Sequence, residues 1–216
     1  ARLQAQIIEL QQQQLETNIL SALVDFARAN PENRYQAAAV IARDPSPFLQ
    51  YVIINRGSDD GFRRGMPIVN QQGLVGRIAA VTAVAARVQL ITDSGSTINV
   101  RIEPSREPAV LRGQITGEVS LDMISQDANV QSGDLGLTSG LGGGYPPDIL
   151  IGQVTGVRSR VQDLFQRASM QTVVDFSQLE IVLVITNFPA VTSVSTDQRS
   201  SSRPIPQIKP EGWTYY

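Results

Sequence analysis

The residues Thr92-Asp93-Ser94-Gly95-Ser96 carry the Asp-Ser/Thr-Gly-Ser/Thr pattern of sites where two aspartates share one proton and activate water for peptide hydrolysis. That chemistry needs two such loops, and the chain has one, so a homodimer would have to bring two copies of Asp93 together. Polar Thr92 stands where such loops favour an apolar residue, and Asp-Ser-Gly is an ordinary turn sequence; a turn is the expectation. Gly140-Leu141-Gly142-Gly143-Gly144-Tyr145 imitates a phosphate-cradling loop, but such a loop needs a helix N-terminus after it. Pro146-Pro147-Asp148 and another β-prone run follow instead, which predicts a long hairpin insertion. Asp59, Asp60, Asp122, Asp127 and Asp134 could supply oxygen ligands to a hard cation, yet their spacing fits no metal loop, and no metal site is expected.

Histidine and cysteine are both absent, and Lys209 is the single lysine. Without them there is no Ser-His-Asp triad, no Cys-His dyad, no ordinary zinc site and no disulfide. Lys209 lies in a Pro-rich segment, a poor place to desolvate an amine for Schiff-base chemistry. No cofactor and no catalytic residue is expected. Net charge is -2, from 18 basic and 20 acidic residues, which gives no electrostatic case for nucleic acid, and Arg63-Arg64 reads as a solvated turn.

The elements that would position these groups are mostly β. A glycine-punctuated block, Gly57 through Ile78 with Gly61, Gly65, Gly73 and Gly76, returns in shortened form as Gly133-Asp134-Leu135-Gly136-Leu137 and, after an insertion, Leu150-Ile151-Gly152-Gln153-Val154. In each copy a glycine opens a turn, and an inner glycine (Gly76, Gly152) marks a bulge or close backbone approach. Short β-prone runs are predicted over 37–42, 51–55, 66–69, 74–81, 87–90 and 98–102. After the turn-rich connector 103–108, more follow over 110–115, 118–123, 135–138, 149–157, 170–174 and 180–185. With 42% hydrophobic residues in 216, this is the pattern of two small β-domains, each a barrel or sandwich, meeting near Gly113.

Residues 3–29 lack Gly and Pro, are rich in Gln, Leu and Ala, and end at Asn30-Pro31, so they predict one helix. Leu3, Ile7 and Leu10 have coiled-coil spacing; Leu15, Ile19, Ala22 and Phe26 resume it in a shifted register after four glutamines. The expectation is two short seams joined by a skip. This stripe either pairs with another chain or docks on the β-domains, and pairing is favoured. No stretch approaches the roughly 18 to 20 apolar residues of a membrane span, and because residue 1 is Ala1 an upstream segment is expected. From Pro189 the composition turns to Ser, Thr, Pro and Gln, predicting a disordered tail with an aromatic Trp213-Thr214-Tyr215-Tyr216 end.

The order of motifs resembles a known family. Arg43-Asp44-Pro45-Ser46-Pro47-Phe48, Ile54-Asn55-Arg56-Gly57-Ser58-Asp59-Asp60-Gly61, Gly65-Met66-Pro67-Ile68-Val69 and Gly73-Leu74-Val75-Gly76-Arg77-Ile78 are similar to the rod shape-determining family MreC. So are Thr138-Ser139-Gly140-Leu141-Gly142-Gly143, Ile151-Gly152-Gln153-Val154 and Asp175 through Ile185. The resemblance covers about residues 35 to 186; Tyr145 stands for a more usual Phe, and Asp148 and Leu150 for a more usual Gly and Pro. It implies a mainly β fold: a coiled-coil helix (1–32), two six-stranded β-barrels (33–112 and 113–188) and the tail (189–216). The barrels would resemble chymotrypsin-like ones in shape, without the histidine hydrolysis needs.

The resemblance further implies a membrane-anchored protein of the cell-wall elongation machinery, with this region on the periplasmic or extracytoplasmic side of the plasma membrane. It would self-associate and contact MreD, a class B penicillin-binding transpeptidase and its RodA-type partner, with an indirect link to MreB. The expected self-association residues are Leu3, Ile7, Leu10, Leu15, Ile19, Ala22 and Phe26; the expected structural glycines are Gly57, Gly61, Gly65, Gly76, Gly133 and Gly152. The alternatives are a homodimeric aspartic peptidase using Asp93 and a passive envelope adaptor.

Overall fold

The computed structural model describes residues 13, 17, 20–46, 48–159 and 162–188. Helix α1, described at 13, 17 and 20–29, ends where the Asn30 side chain donates to the Phe26 carbonyl at 2.9 Å. Twelve strands follow: β1 (Tyr35–Arg43), β2 (Tyr51–Ile54), β3 (Pro67–Val69), β4 (Leu74–Val81), β5 (Ala86–Leu90), β6 (Thr97–Glu103), β7 (Glu107–Gly113), β8 (Val119–Ser125), β9 (Leu135–Thr138), β10 (Leu150–Arg158), β11 (Phe165–Thr172) and β12 (Ile181–Ile185). Among the described residues no helix is long and apolar enough to cross a membrane.

Each expected strand is present, and all but two lie within about two residues of the expected limits. β7 begins inside the expected connector, because Glu107 and Pro108 pair with Ile102 and Arg101 of β6. β11 begins at Phe165 rather than Met170, and its inward side carries Gln166, whose amide donates to the carbonyls of Ser125, Gln126 and Ala128. A buried amide with its hydrogen bonds satisfied fills an inward position as an apolar residue would, but it breaks the alternation that announces a strand.

The strands close into two antiparallel barrels, in cyclic order β1-β12-β3-β4-β5-β2 and β10-β11-β8-β7-β6-β9. The two sequence repeats are β1 to β6 and β7 to β12, and each donates its sixth strand to the other barrel. This corrects the consecutive division at 112/113: β6 and β7 both belong to the second barrel, and β12 returns to close the first. The physical reason lies in the donated strands. β6 alternates, with Ile98, Val100 and Ile102 inward. β12 is an unbroken apolar run, which suits a strand covered on both faces: Val182 and Val184 join the interior of the first barrel, while Leu183 and Ile185 join the cluster that fills the second and spreads across the junction. That shared cluster reaches Val69 of β3, Ile91 after β5, and Leu23 of the helix.

Backbone hydrogen bonds repeat along with the sequence. Gly65 N–H donates to the Ile78 carbonyl and Gly133 N–H to the Val154 carbonyl, both at 2.8 Å. Ile91 N–H to Val75 and Val173 N–H to Ile151 are both 3.0 Å. The register shifts between Ile78 and Ala80 in one barrel and between Val154 and Gly156 in the other, so the repeat preserves its bulges, which bend a strand enough to close a small barrel.

Candidate interaction surfaces

Asp93 sits 3% exposed in the turn that leaves β5 for β6, where the chain crosses between barrels. One carboxylate oxygen accepts from the Gln50 N–H at 3.0 Å; the other accepts from the Gln89 side chain at 2.8 Å and the Gly95 N–H at 3.0 Å. The Asp93 carbonyl accepts from Ser96 N–H at 2.8 Å. A methyl at Gly113 would strike the carbonyls of Asp93 and Thr92, so the end of β7 rests on this turn. Both carboxylate oxygens are occupied in fastening it, as a turn aspartate does.

The glycine-rich segment is the expected hairpin insertion between β9 and β10. Leu141–Gly143 forms one 3-10 turn with Gly140 and Gly142 at positive φ, and no α-helix follows. Tyr145 anchors it in the shared cluster, and burial pushes its hydroxyl pKa up to about 12. The Thr138 hydroxyl donates to the Pro146 carbonyl at 2.6 Å and accepts from Ile149 N–H at 2.9 Å. Asp148 has φ +65, a conformation that Asp tolerates better than most residues. Arg101 holds it at 2.5 Å, and Asp148 and then Glu103 raise the Arg101 pKa. Among the described residues no group of three or more acidic, His or Cys side chains could hold a metal ion.

The six expected structural glycines divide by cause. Gly61, Gly65 and Gly133 have positive φ, whereas a methyl at Gly57, Gly76 or Gly152 would overlap backbone carbonyls of Thr82 and Ala83, Gln89, or Gln171.

Of the expected seam, Leu3, Ile7, Leu10, Leu15 and Ile19 lie outside the described residues. Ala22 and Phe26 are half-buried, and the Phe26 ring meets Tyr35 of β1 edge-on at 5.8 Å. Leu23, which the sequence reading passed over, is 3% exposed in the shared cluster. Docking on the barrels, the less favoured outcome, therefore holds at this end of the helix, where Leu23 and Phe26 cover apolar surface that β1 and β12 leave outward. Leu20 and Val24 stay exposed.

The second barrel carries apolar side chains outside. Met123, at φ +62, Leu164 and Phe165 are exposed, Leu164 by 85%. With Arg112, Arg158 and Arg167 they line an open cleft of ≈ 710 Å³. Arg112 and Arg167 share Asp122 at 3.4 and 3.5 Å; Arg158 has no ion-pair partner among the described residues. Sequence reasoning missed this cleft because β7, β8, β10 and β11 bring its residues together only on folding.

The family model described as rod shape-determining protein MreC, barrel core, matches residues 40–186. The cell shape-determining protein MreC of Cereibacter sphaeroides is 35% identical over 73% of this chain and 51% of its own length. That of Caulobacter vibrioides is 32% identical over 82% and 54%, so the chain spans about half the length of these relatives. Among solved structures, MreC from Pseudomonas aeruginosa superimposes with a TM-score of 0.66 at 27% identity, over 71% of this chain and 99% of that one. The fold is also that of the complex between penicillin-binding protein PBP2 and MreC from Helicobacter pylori, with a TM-score of 0.59 at 16% identity over 71% of this chain and 98% of that one. With the motifs of both repeats and the paired barrels matched across most of its length, this chain belongs to the MreC family of cell shape-determining proteins.

Proposed function

We propose that this chain is a non-catalytic, self-associating scaffold of the cell-wall elongation machinery. It is held on the outer side of the plasma membrane by a segment upstream of Ala1, and it binds and organises peptidoglycan synthases. Its direct partners are a class B penicillin-binding transpeptidase, the RodA-type enzyme beside it, and MreD; MreB is reached indirectly.

The observation that carries this reading is the outward placement of binding chemistry. Side chains fill both barrels, while Met123, Leu164 and Phe165 with Arg158 stand outside, and exposed apolar surface edged by arginine suits protein contacts. The Helicobacter pylori complex supports a transpeptidase as the partner class. The test is biolayer interferometry between the chain and the extracytoplasmic region of a class B transpeptidase from the same cell. Saturable binding that falls at least tenfold in the Leu164→Asp/Phe165→Ser double variant is expected; no binding by the unaltered chain would overturn the reading.

A further inference from the structure

The end of β12 is fastened beside the root of α1. Thr186 N–H donates to the Arg34 carbonyl at 2.9 Å, Arg34 N–H to the Asn187 side chain at 2.8 Å, and the Asn187 amide to the Glu32 carbonyl at 2.9 Å. Phe188, the next residue, lines a groove of ≈ 370 Å³ among the helix root, the β3–β4 turn and the hairpin insertion of the second barrel. Residues 189–216 lie outside the described residues, so the chain beyond Phe188 sets out from this groove.

The lining of the groove selects an occupant by its chemistry. Phe26, Tyr35 and Phe188, all half-buried, offer aromatic surface with Pro146 beside them. Its charged members are Glu32 and Asp148, with no arginine or lysine. Asp148 is held by Arg101, whereas Glu32 is exposed and in no ion pair among the described residues. Aromatic-lined grooves take proline-rich segments in the polyproline II form, whose preformed extended shape has little entropy left to lose on docking. An acidic edge favours such a segment when it carries basic residues.

We infer that the occupant is the chain's own segment 203–210, Arg203-Pro204-Ile205-Pro206-Gln207-Ile208-Lys209-Pro210, laid into the groove with prolines on the aromatic rings and a basic side chain at Glu32. Three prolines, two basic residues and no acidic one are the chemistry this groove selects. The other clefts suit the segment less. That of the second barrel sets three arginines against two aspartates, which disfavours Arg203 and Lys209, and the one beside Arg43, Asp175 and Glu180 has no aromatic lining residue. Residues 189–203, rich in Ser and Thr, connect Phe188 to Pro204, and a linker of that length spans roughly 20 Å. It gives an effective concentration on the order of 1 mM, so an intrinsic Kd as weak as about 100 μM keeps the groove mostly filled. Docked there, the segment touches Phe26 of the helix and Pro146 of the hairpin insertion together, and so latches the helix root to the second barrel.

A chain without cysteine makes the test clean. Gln207→Cys in the full chain takes a nitroxide label at that position alone, and backbone amide signals are compared with the nitroxide active and reduced. At least a twofold loss of intensity at Asn33, Gln72 and Asp148, which line the groove, is expected, with Leu164 and Phe165 unchanged. Adding Glu32→Arg, at an exposed position whose described hydrogen bond is made by its backbone, should restore most of that intensity. A mixture of isotope-labelled chain lacking the nitroxide with nitroxide-bearing chain lacking the isotope should show no loss, because each segment fills the groove of its own chain. Loss centred on Leu164 and Phe165, loss spread evenly over the barrels, no loss, or loss undiminished by Glu32→Arg overturns the proposal. Loss at the same groove amides in the mixture overturns it too, and gives the groove to the segment of a second copy.

Discussion

Replacing Asp93 separates a fastening aspartate from a catalytic one. In Asp93→Asn the backbone is kept and one oxygen becomes an amide nitrogen. If that nitrogen takes the position facing the Gln50 N–H, one donor loses its acceptor; if it takes the other, the Gln89 amide and Gly95 N–H both do. The first orientation costs less, and a lost hydrogen bond to a buried charged group is worth about 1.5–3 kcal/mol, so about 2 kcal/mol is expected. Asp93→Ala leaves three donors unpaired, and because the Gln50 and Gly95 amides are only part-buried and can recover water, about 3 kcal/mol is expected rather than three full bonds. The assay is urea unfolding followed by circular dichroism, with the midpoint shifted and the slope unchanged. Gln89→Ala, alone and combined with Asp93→Asn, gives the coupling by a double-mutant cycle. A loss below about 0.5 kcal/mol in Asp93→Ala would refute the reasoning. Peptide hydrolysis by the purified chain, abolished by Asp93→Asn at unchanged stability, would put the dimeric peptidase in its place.

Gly76→Ala and Gly152→Ala, which force a methyl onto the carbonyls of Gln89 and Gln171, are each expected to cost about 2–3 kcal/mol by strain and overpacking. Gly156→Ala, with nothing within 4 Å of the new atom, should cost less than about 1 kcal/mol in the same unfolding assay. Tyr145 ionises near pH 10 in the unfolded chain, and burial pushes this up to about 12 in the folded one. The folded state therefore holds its proton longer, and stability present below pH 10 is lost as pH rises toward 12. Thermal melts of the native chain and Tyr145→Phe should run parallel up to pH 10 and diverge above it, with the native chain losing about 2–3 kcal/mol more; identical pH dependence would place Tyr145 in water.

Much of the β-architecture was legible because most inward positions are apolar and alternate with polar ones, and the paired glycine motifs marked turns and close approaches that recur in both barrels. The start of β11 was hidden by Gln166, whose role depends on three carbonyls of β8 and the loop after it. The exchange of β6 and β12 was hidden for another reason: pairing is a property of two strands, and neither reveals its partner. The unbroken run Ile181-Val182-Leu183-Val184-Ile185 did signal burial on both faces, but not between what. The helix misled through the same degeneracy, since apolar residues spaced for a coiled coil are also spaced for docking, and only the positions of Tyr35 and β12 decide which one Phe26 does. Asp93 was legible as a turn residue, whereas its hold on Gln50 was not, because that contact joins residues 43 apart in sequence.

The exchanged strands give the molecule a mechanical property that two consecutive barrels would lack. Removing β12 would open the first barrel between β1 and β3 and at the same time strip Leu183 and Ile185 from the cluster that fills the second. Removing β6 would open the second barrel between β7 and β9. Neither barrel can be dismantled without withdrawing support from its neighbour, so their relative orientation is fixed by covalent topology and shared packing rather than by surface contact alone. Leu23 inserts into that same cluster, with Phe26 packed against it, which ties the root of the helix to both barrels.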